Sequence, residues 1–263
     1  THTYTTTDTF IGWGDMRILV FDCFSGISGD MTLAALLDLG LPQEKLRQEL
    51  AKLGLGNFSL EIFRGSRSGI AALGLEVKAG PQEEHHRHFS DIRKMIETST
   101  LEQSVKEMSL AIFQRLAEAE AKVHGQRLEE VHFHEVGAVD SIVDIVGTAI
   151  GIDHFSPERI VSSELPMGKG FVQCQHGRLP VPAPATLEIL KGYPIKNVDV
   201  EGELVTPTGA AIVAALSSGV DAWTNMKIDR IGYGMGKREF PDRPNLLRLI
   251  FGETFEAYRS DRV

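Results

Sequence analysis

The stretch VHFHEVGAVDSIVDIVG, residues 131–147, is the part of the sequence that says most about the fold. It begins as an extended segment in which His132 and His134 share one side, while Phe133 and Glu135 share the other. After Gly137 the spacing becomes that of an amphipathic helix, whose apolar face carries Val139, Ile142, Val143 and Val146. A strand-like segment that turns directly into a core-facing helix indicates a mixed α/β fold.

The polar side of this helix carries two carboxylates. Asp140 and Asp144 are four residues apart, so both lie on one face, and Gly147 continues that face and leaves room for another group to approach. Imidazole together with carboxylate suits a borderline divalent cation such as nickel, zinc or iron. The junction is therefore a candidate metal or catalytic site. Asp140 could instead cap the helix or interact with its dipole, an interpretation that fits Asp144 poorly.

The composition limits the classes of function. The chain has 263 residues, 42% hydrophobic and 24% charged, as in an ordinary water-soluble protein with a substantial core. Its formal net charge of -9 argues against nucleic acid as a main partner, and no apolar run is long enough to cross a membrane. Cys23 and Cys174 are too few for a disulfide framework, so we expect a cytoplasmic protein.

The boundaries of one domain can be placed from local composition. Residues 1–15 are Thr-rich and lack periodicity, so we expect a disordered leader or a segment added by cloning. We expect a single domain over residues 16–252 and a polar tail over residues 253–263.

Alternation and helical spacing predict an α/β (mixed α+β) fold, with a central sheet flanked by helices and a C-terminal β-hairpin. The main expected elements are a first strand at 17–21, paired strands at 58–63 and 70–77 around a turn at 64–69, and a long helix at 101–123. The passage 165–184 is rich in Gly and Pro and predicts an irregular surface path. Residues 227–236 and 245–252 predict the closing hairpin.

The first strand leads into a loop with several candidate ligand-binding residues. Asp22, at the carboxyl end of the strand, lies where ligands of α/β folds gather. Ser25 and Asp30 belong to a glycine-containing loop before a helix, an arrangement that resembles an anion cradle. The two acidic residues would repel a phosphate unless a cation lay between them. Loop glycines followed by an ordinary helix cap are the alternative interpretation.

Other polar residues have two interpretations each. Lys169 and Arg178 supply positive charge in an acidic protein and could bind a phosphate, or could be plain surface residues. Thr206 and Thr208 precede or enter a helix, so a capping role competes with a ligand role. The His85–His88 segment contains three histidines, which could capture a metal ion or form an ordinary loop.

Five segments together resemble the nickel insertion proteins of the LarC type. They are DCFSGISGDM at 22–31, VHFHEVGAVDSIVD at 131–144, PVPAPA at 180–185, TPTGA at 206–210 and GYGMG at 232–236. The resemblance covers about Met16 to Gly252, and the central block is its most specific part.

This resemblance implies a lyase-type nickel chelatase. Such proteins insert Ni²⁺ into pyridinium-3,5-bisthiocarboxylic acid mononucleotide, forming carbon–nickel and sulfur–nickel bonds. The product is the nickel-pincer nucleotide of lactate racemase, so a lactate racemase-type apoenzyme is an implied partner. The reaction consumes CTP, which is bound with Mg²⁺ or Mn²⁺ by a C-terminal part of the family that this chain lacks. That C-terminal half and further copies of the chain in a homo-oligomer are the other expected partners.

The resemblance and the residue types together suggest roles for individual side chains. The expected nickel ligands are His132, His134, Asp140 and Asp144. Formation of the carbon–nickel bond removes a proton from the pyridinium ring, and Glu135, His134 or Asp140 could accept it. The expected substrate-binding residues are Asp22, Ser25, Asp30, Lys169, Arg178, Thr206 and Thr208. A non-catalytic nickel metallochaperone or storage domain is the main alternative, and a metal-dependent hydrolase is a third.

Overall fold

The computed structural model describes residues 16–80, 87–131, 133, 138–174, 177–221 and 224–255. Within these residues the strands are β1 Arg17–Asp22, β2 Phe58–Arg67, β3 Ile70–Ala79, β4 Arg159–Ser162, β5 Leu165–Lys169, β6 Phe171–Cys174, β7 Gly177–Pro180, β8 Ile195–Glu201, β9 Met226–Met235 and β10 Leu246–Thr254. The α-helices are α1 Gly29–Leu39, α2 Gln43–Ala51, α3 Phe89–Thr98, α4 Gln103–His124, α5 Val139–Phe155, α6 Pro184–Ile189 and α7 Pro207–Leu216. The chain is therefore a mixed α/β protein, as predicted.

A six-stranded sheet forms the centre of the molecule, in the order β2-β3-β9-β10-β1-β4. Strand β1 lies between antiparallel β10 and parallel β4, and four successive side chains, Ile18 to Phe21, are fully buried. A continuous apolar run of this kind is typical of a strand covered on both faces. The predicted C-terminal hairpin is confirmed, because β9 and β10 pair in antiparallel fashion.

The helices that position the cleft described below pack in a layer on this sheet. Helix α1 contacts β3, β9 and β10, and α5 packs beside α1. Helix α4 contacts α5, α6 and α7. The apolar sides of these helices share one continuous core with the sheet, as the 3.6-residue spacing of their apolar residues predicts.

An aromatic cluster anchors the segment before α5. The Phe133 ring is buried and lies 6.2 Å from the Phe89 ring and 6.3 Å from the Phe113 ring, measured between centroids. Edge-on and tilted aromatic contacts of this kind stabilise a core beyond the area that they bury. Phe133, six residues before the start of α5, is therefore fixed in the core.

Two parts of the sequence are more regular than predicted. The strands around the turn at 64–69 continue to Arg67 and restart at Ile70, so that only Ser68 and Gly69, both with positive φ, form the turn. The described residues of the passage 165–180 are largely regular, because β5 pairs with β8 and β6 pairs with β7. Pro166 is tolerated in β5 since this strand has a neighbour on one side only. None of the helices in the described ranges is both long and apolar enough to cross a membrane.

Candidate functional site

Three helix N-termini meet at one cleft. Ser28, Gly29 and Asp30 come from the start of α1, Asp140 and Ser141 from the start of α5, and Thr206, Pro207 and Thr208 from the start of α7. The free N–H groups of a helix N-terminus carry partial positive charge, which partly offsets nearby carboxylates. This convergence allows several acidic side chains to share one small space.

The cleft has two adjoining lobes. The first, of about 260 Å³, is lined by four acidic residues, Asp30, Asp140, Asp144 and Glu203, and is called the acidic lobe. The second, of about 390 Å³, includes the exposed ring of Phe171 and is called the Phe171 lobe. Both lobes share the residues Ser28, Asp30, Glu203, Thr206 and Lys237. Together they reach the size of roughly 300–1,000 Å³ that small-molecule pockets usually have.

Asp144 is the most unusual residue of the acidic lobe. Its Oδ1 atom is shielded from solvent and has no hydrogen-bond partner in the described part of the chain. Burial, together with the negative charges of Asp30 and Asp140, raises the pKa of this carboxyl well above its ordinary value, and Lys237 partly opposes the shift. A buried oxygen without a partner is costly, so Asp144 is suited to receive a proton or a cation.

The other two helix-borne acids have local partners. Ser28 Oγ and the Met31 N–H donate to Asp30 Oδ1, the latter at 2.9 Å. The Ser141 N–H donates to Asp140 Oδ1 at 2.8 Å. Asp140 is exposed, so its remaining acceptor capacity faces the cleft and solvent. The structure therefore brings Asp30, Asp140 and Asp144 together, and the last two lie on one helix face, as their spacing predicts.

Close packing of α1 on α5 sets the position of these acids. A Cβ atom at Gly147 would lie 2.7 Å from Leu33 Cδ2. The group that approaches Gly147 is thus Leu33 of helix α1. A larger residue at position 147 would push the two helices apart. The prediction that this glycine leaves room for a neighbour is correct, and the neighbour is part of the same chain.

The predicted substrate-binding residues fall into two sets. Asp30, Thr206 and Thr208 line the acidic lobe, although Thr206 Oγ1 also accepts the Gly209 N–H at 3.1 Å as the cap of α7. Ser25 is buried within the loop between β1 and α1, and its Oγ has no hydrogen-bond partner within the described ranges.

The remaining three predicted substrate-binding residues have partners elsewhere. Asp22 is buried and accepts from the Arg248 guanidinium, with Nε at 2.8 Å. Lys169 forms an ion pair with Asp199, which raises the pKa of the lysine. The Arg178 guanidinium lies 4.3 Å from the centre of the Phe171 ring, and Arg178 itself lines neither lobe.

Some predicted residues lie outside the described ranges. They are the candidate ligands His132 and His134, the candidate base Glu135, and His85 and His86 of the histidine-rich segment. Among the residues that are described, no group of three or more His, Cys, Asp or Glu side chains is arranged to hold a metal ion.

Sequence reasoning missed several residues of the cleft. Lys237 and Arg238 lie in the charged segment between β9 and β10, which reads as an ordinary hairpin loop, and Glu203 precedes the α7 cap. The signal that could have found the two cations is their position directly after the glycine-rich segment 232–236, which belongs to the resemblance described above.

The fold and the cleft thus define a mixed α/β protein with an acidic cleft at converging helix N-termini. The chain belongs to the nickel insertion protein family, whose model matches residues 19–263.

Curated relatives with the provisional name of nickel insertion protein support this assignment. The relative from Geotalea daltonii is 54% identical over 250 residues, which are 94% of this chain and 64% of that protein. The relative from Citrifermentans bemidjiense is 56% identical over 242 residues, which are 92% of this chain and 63% of that protein. The relative from Dictyoglomus thermophilum is 47% identical over 248 residues, or 94% and 64% of the two chains. This chain therefore spans somewhat under two thirds of the length of these relatives, and no solved structure matches it significantly.

Proposed function

We propose that this chain is the nickel- and nucleotide-handling part of a longer nickel insertion protein. Its substrates would be Ni²⁺ and pyridinium-3,5-bisthiocarboxylic acid mononucleotide, and its product the nickel-pincer nucleotide used by lactate racemase-type apoenzymes. Membership of the nickel insertion family supports the metal, and the five sequence segments that resemble LarC-type proteins support the nucleotide. The observation that carries the proposal is the shielded, unpartnered Oδ1 of Asp144 in a cleft with Asp30 and Asp140.

The residues of the acidic lobe suit a metal that is held briefly and then transferred. Carboxylates bind Ni²⁺ less firmly than a full set of imidazoles or thiolates does, so the metal can leave with the substrate. The two thiocarboxylates of the nucleotide supply sulfur ligands, and the protein need not provide cysteines for them. In this proposal Asp140 and Asp144, with His132 and His134, hold the incoming ion.

A base is also required. The carbon–nickel bond forms in place of a C–H bond of the pyridinium ring, so one proton must pass to an acceptor. Asp140, whose side chain lines the acidic lobe and is open to solvent, could take this proton and release it to water. Glu135 and His134 are the other candidates for this role.

CTP and its Mg²⁺ or Mn²⁺ are assigned to the part of the longer protein that this chain does not include. The acidic lobe fits a nucleoside triphosphate poorly, because its four acidic side chains would repel the phosphates. In this proposal CTP takes no part in the chemistry of the acidic lobe.

Nickel binding measured by calorimetry on a tag-free chain tests the proposal. We expect Asp140→Asn/Asp144→Asn to lose the tightest nickel site, and Glu97→Gln/Glu118→Gln, which removes two exposed charges from α3 and α4, to keep it. Loss of the site only in His85→Ala/His86→Ala/His88→Ala would place metal capture in the histidine-rich segment and contradict the assignment.

The same titrations separate insertion from simple delivery. If the pyridinium mononucleotide binds the wild-type chain and changes its nickel affinity, and Asp140→Asn/Asp144→Asn abolishes this effect, the two substrates are coupled through the acidic lobe, as insertion requires. A nickel affinity that does not change when the nucleotide is added would favour the alternative function, a metallochaperone that only delivers the metal.

A further inference from the structure

Two adjacent basic residues, Lys237 and Arg238, line the cleft together with its acidic residues. Lys237 lines both lobes, and Arg238 lines the Phe171 lobe. Both side chains are exposed, and they follow β9 directly in the segment that leads to β10. The established family membership does not assign a role to either residue.

The backbone that carries these cations is held firmly. The Gly236 N–H donates to the Asn245 carbonyl at 3.0 Å, and Asn245 Nδ2 donates to the Arg238 carbonyl at 2.9 Å. From the other side, Arg67 Nη2 donates to the Gly236 carbonyl at 2.9 Å. The loop is thus fixed to both β10 and β2, so the two cations stand in a defined place rather than at the tip of a free hairpin.

Local packing also places the guanidinium of Arg238. A Cβ atom at Gly202, which has a φ of +113°, would lie 2.6 Å from Arg238 Nη1 and 2.9 Å from Cζ. The guanidinium therefore rests on the bare Gly202 backbone next to the Phe171 lobe. Any larger residue at position 202 would displace it.

The charges of Lys237 and Arg238 are available to a ligand. Neither side chain lies within ion-pair distance of a carboxylate in the described parts of the chain. Lys169, by contrast, is already paired with Asp199 and close to Glu201. The basic residues best placed to meet an anion in this cleft are therefore Lys237 and Arg238.

We propose that Lys237 and Arg238 bind the phosphate of the pyridinium mononucleotide, which directs its ring toward the acidic lobe. This inference rests on the proposed function and adds the orientation of the substrate. A phosphate dianion is repelled by Asp140 and Asp144, which line the acidic lobe alone, whereas a metal ion and a pyridinium ring are attracted to them. Asp30 and Glu203 line both lobes, and Lys237 and Arg238 offset these two charges in the Phe171 lobe. Because the two lobes adjoin at Lys237, one ligand can place its phosphate in the Phe171 lobe and its ring in the acidic lobe.

Calorimetric titration with three stable probes tests this orientation. Nicotinic acid mononucleotide carries the phosphate, nicotinic acid riboside lacks it, and CTP represents the other source of phosphate. We expect the wild-type chain to prefer the mononucleotide over the riboside by roughly tenfold or more, as two charge-assisted hydrogen bonds would give. Lys237→Gln/Arg238→Gln should abolish this preference and leave riboside binding unchanged.

The matched control is Lys94→Gln/Arg115→Gln, which removes the same charge from exposed positions of α3 and α4 that line neither lobe. This variant should keep the preference, and thermal unfolding should show that both variants are folded. If the cleft double variant keeps the preference, the phosphate binds elsewhere and this inference is overturned while the proposed function stands.

Two further outcomes are decisive. If the cleft double variant loses affinity for CTP but not for the mononucleotide, the cations serve the triphosphate and the assignment is wrong. If the wild-type chain binds neither pyridinium probe, with or without Ni²⁺, the proposed function itself loses its support and the inference falls with it.

Discussion

Gly29, the first residue of α1, lies directly against Asp144 of α5. A Cβ atom on Gly29 would come within 2.7 Å of both Cβ and Oδ2 of Asp144. The bare backbone at position 29 therefore fixes where the unpartnered carboxylate of the acidic lobe stands. This contact joins the loop after β1 to the central helix, the two segments that carry most of the family resemblance.

The first prediction concerns this contact. Gly29→Ala should lower the free energy of unfolding by about 1–3 kcal/mol, because the added methyl group overpacks the α1–α5 junction. It should also weaken nickel binding by displacing Asp144. Urea unfolding and calorimetry measure the two effects.

A double-mutant cycle controls for helix propensity. In an Asp144→Gly background the clash with the Asp144 side chain is absent, so Gly29→Ala should cost less there than in the wild type. An equal cost in both backgrounds would show that the contact with Asp144 is not the cause.

The second prediction is a pH dependence of stability. Since the pKa of Asp144 is raised in the folded state, the folded chain holds this proton more tightly than the unfolded chain does. Its contribution to stability is fully present below the unfolded pKa of about 4 and is lost as the pH rises through the folded pKa.

Asp144→Asn isolates this effect. The free energy of unfolding of the wild type minus that of the variant should decrease as the pH rises from about 4 toward neutrality, measured by urea unfolding without metal. Titrating groups that do not interact with Asp144 cancel in this difference. A difference that is constant with pH would contradict the raised pKa.

The third prediction separates structure from ligand binding at Asp22. Arg248→Met leaves the Asp22 carboxylate buried without its charged partner and should destabilise the fold by roughly 2–4 kcal/mol. This cost is somewhat smaller than that of breaking a fully buried ion pair, because the Arg248 guanidinium keeps some contact with solvent. Asp22→Asn/Arg248→Met should cost less, since no unpaired charge remains. Nickel and mononucleotide affinities should stay unchanged in both; a selective loss of affinity would give Asp22 a ligand role.

The fourth prediction separates the two threonines at the start of α7. Thr206→Ala removes the side chain that accepts the Gly209 N–H and should cost about 1 kcal/mol of stability, whereas Thr206→Ser should keep the cap. Thr208→Ala should leave stability nearly unchanged and weaken nucleotide binding, because Thr208 faces the acidic lobe. Equal stability of Thr206→Ala and the wild type in thermal unfolding would be evidence against the capping role.

Much of the fold is predictable because its elements have strong periodic patterns. The apolar residues of β1 and of α5 are buried in the core, so their spacing along the sequence predicts a strand and a helix. Strand β8, Ile195–Glu201, is hard to predict because it is largely exposed and only Val198 and Val200 alternate with polar residues. The sheet order was also beyond reach, since the pairing of β1 with β10 depends on contacts between distant segments.

The site was predictable only where spacing along one element implies proximity. Asp140 and Asp144 share a helix face by geometry, and Asp30 follows a loop that the sequence marks with glycines. Lys237 and Arg238 carry no such signal, because the tertiary pairing of β9 with β10 brings them to the cleft. The ion pair of Asp22 with Arg248 likewise depends on the long-range pairing of β1 with β10. The ion pair of Lys169 with Asp199 depends on strand β8, which the sequence does not predict.

The insertion of β10 beside β1 has a consequence for synthesis in the cell. Asp22 and its partner Arg248 are 226 positions apart, so β1 leaves the ribosome long before the strand that completes its ladder. The segment with Lys237 and Arg238 is delivered by the same late hairpin. A nascent chain therefore cannot assemble the complete cleft until translation has passed β10.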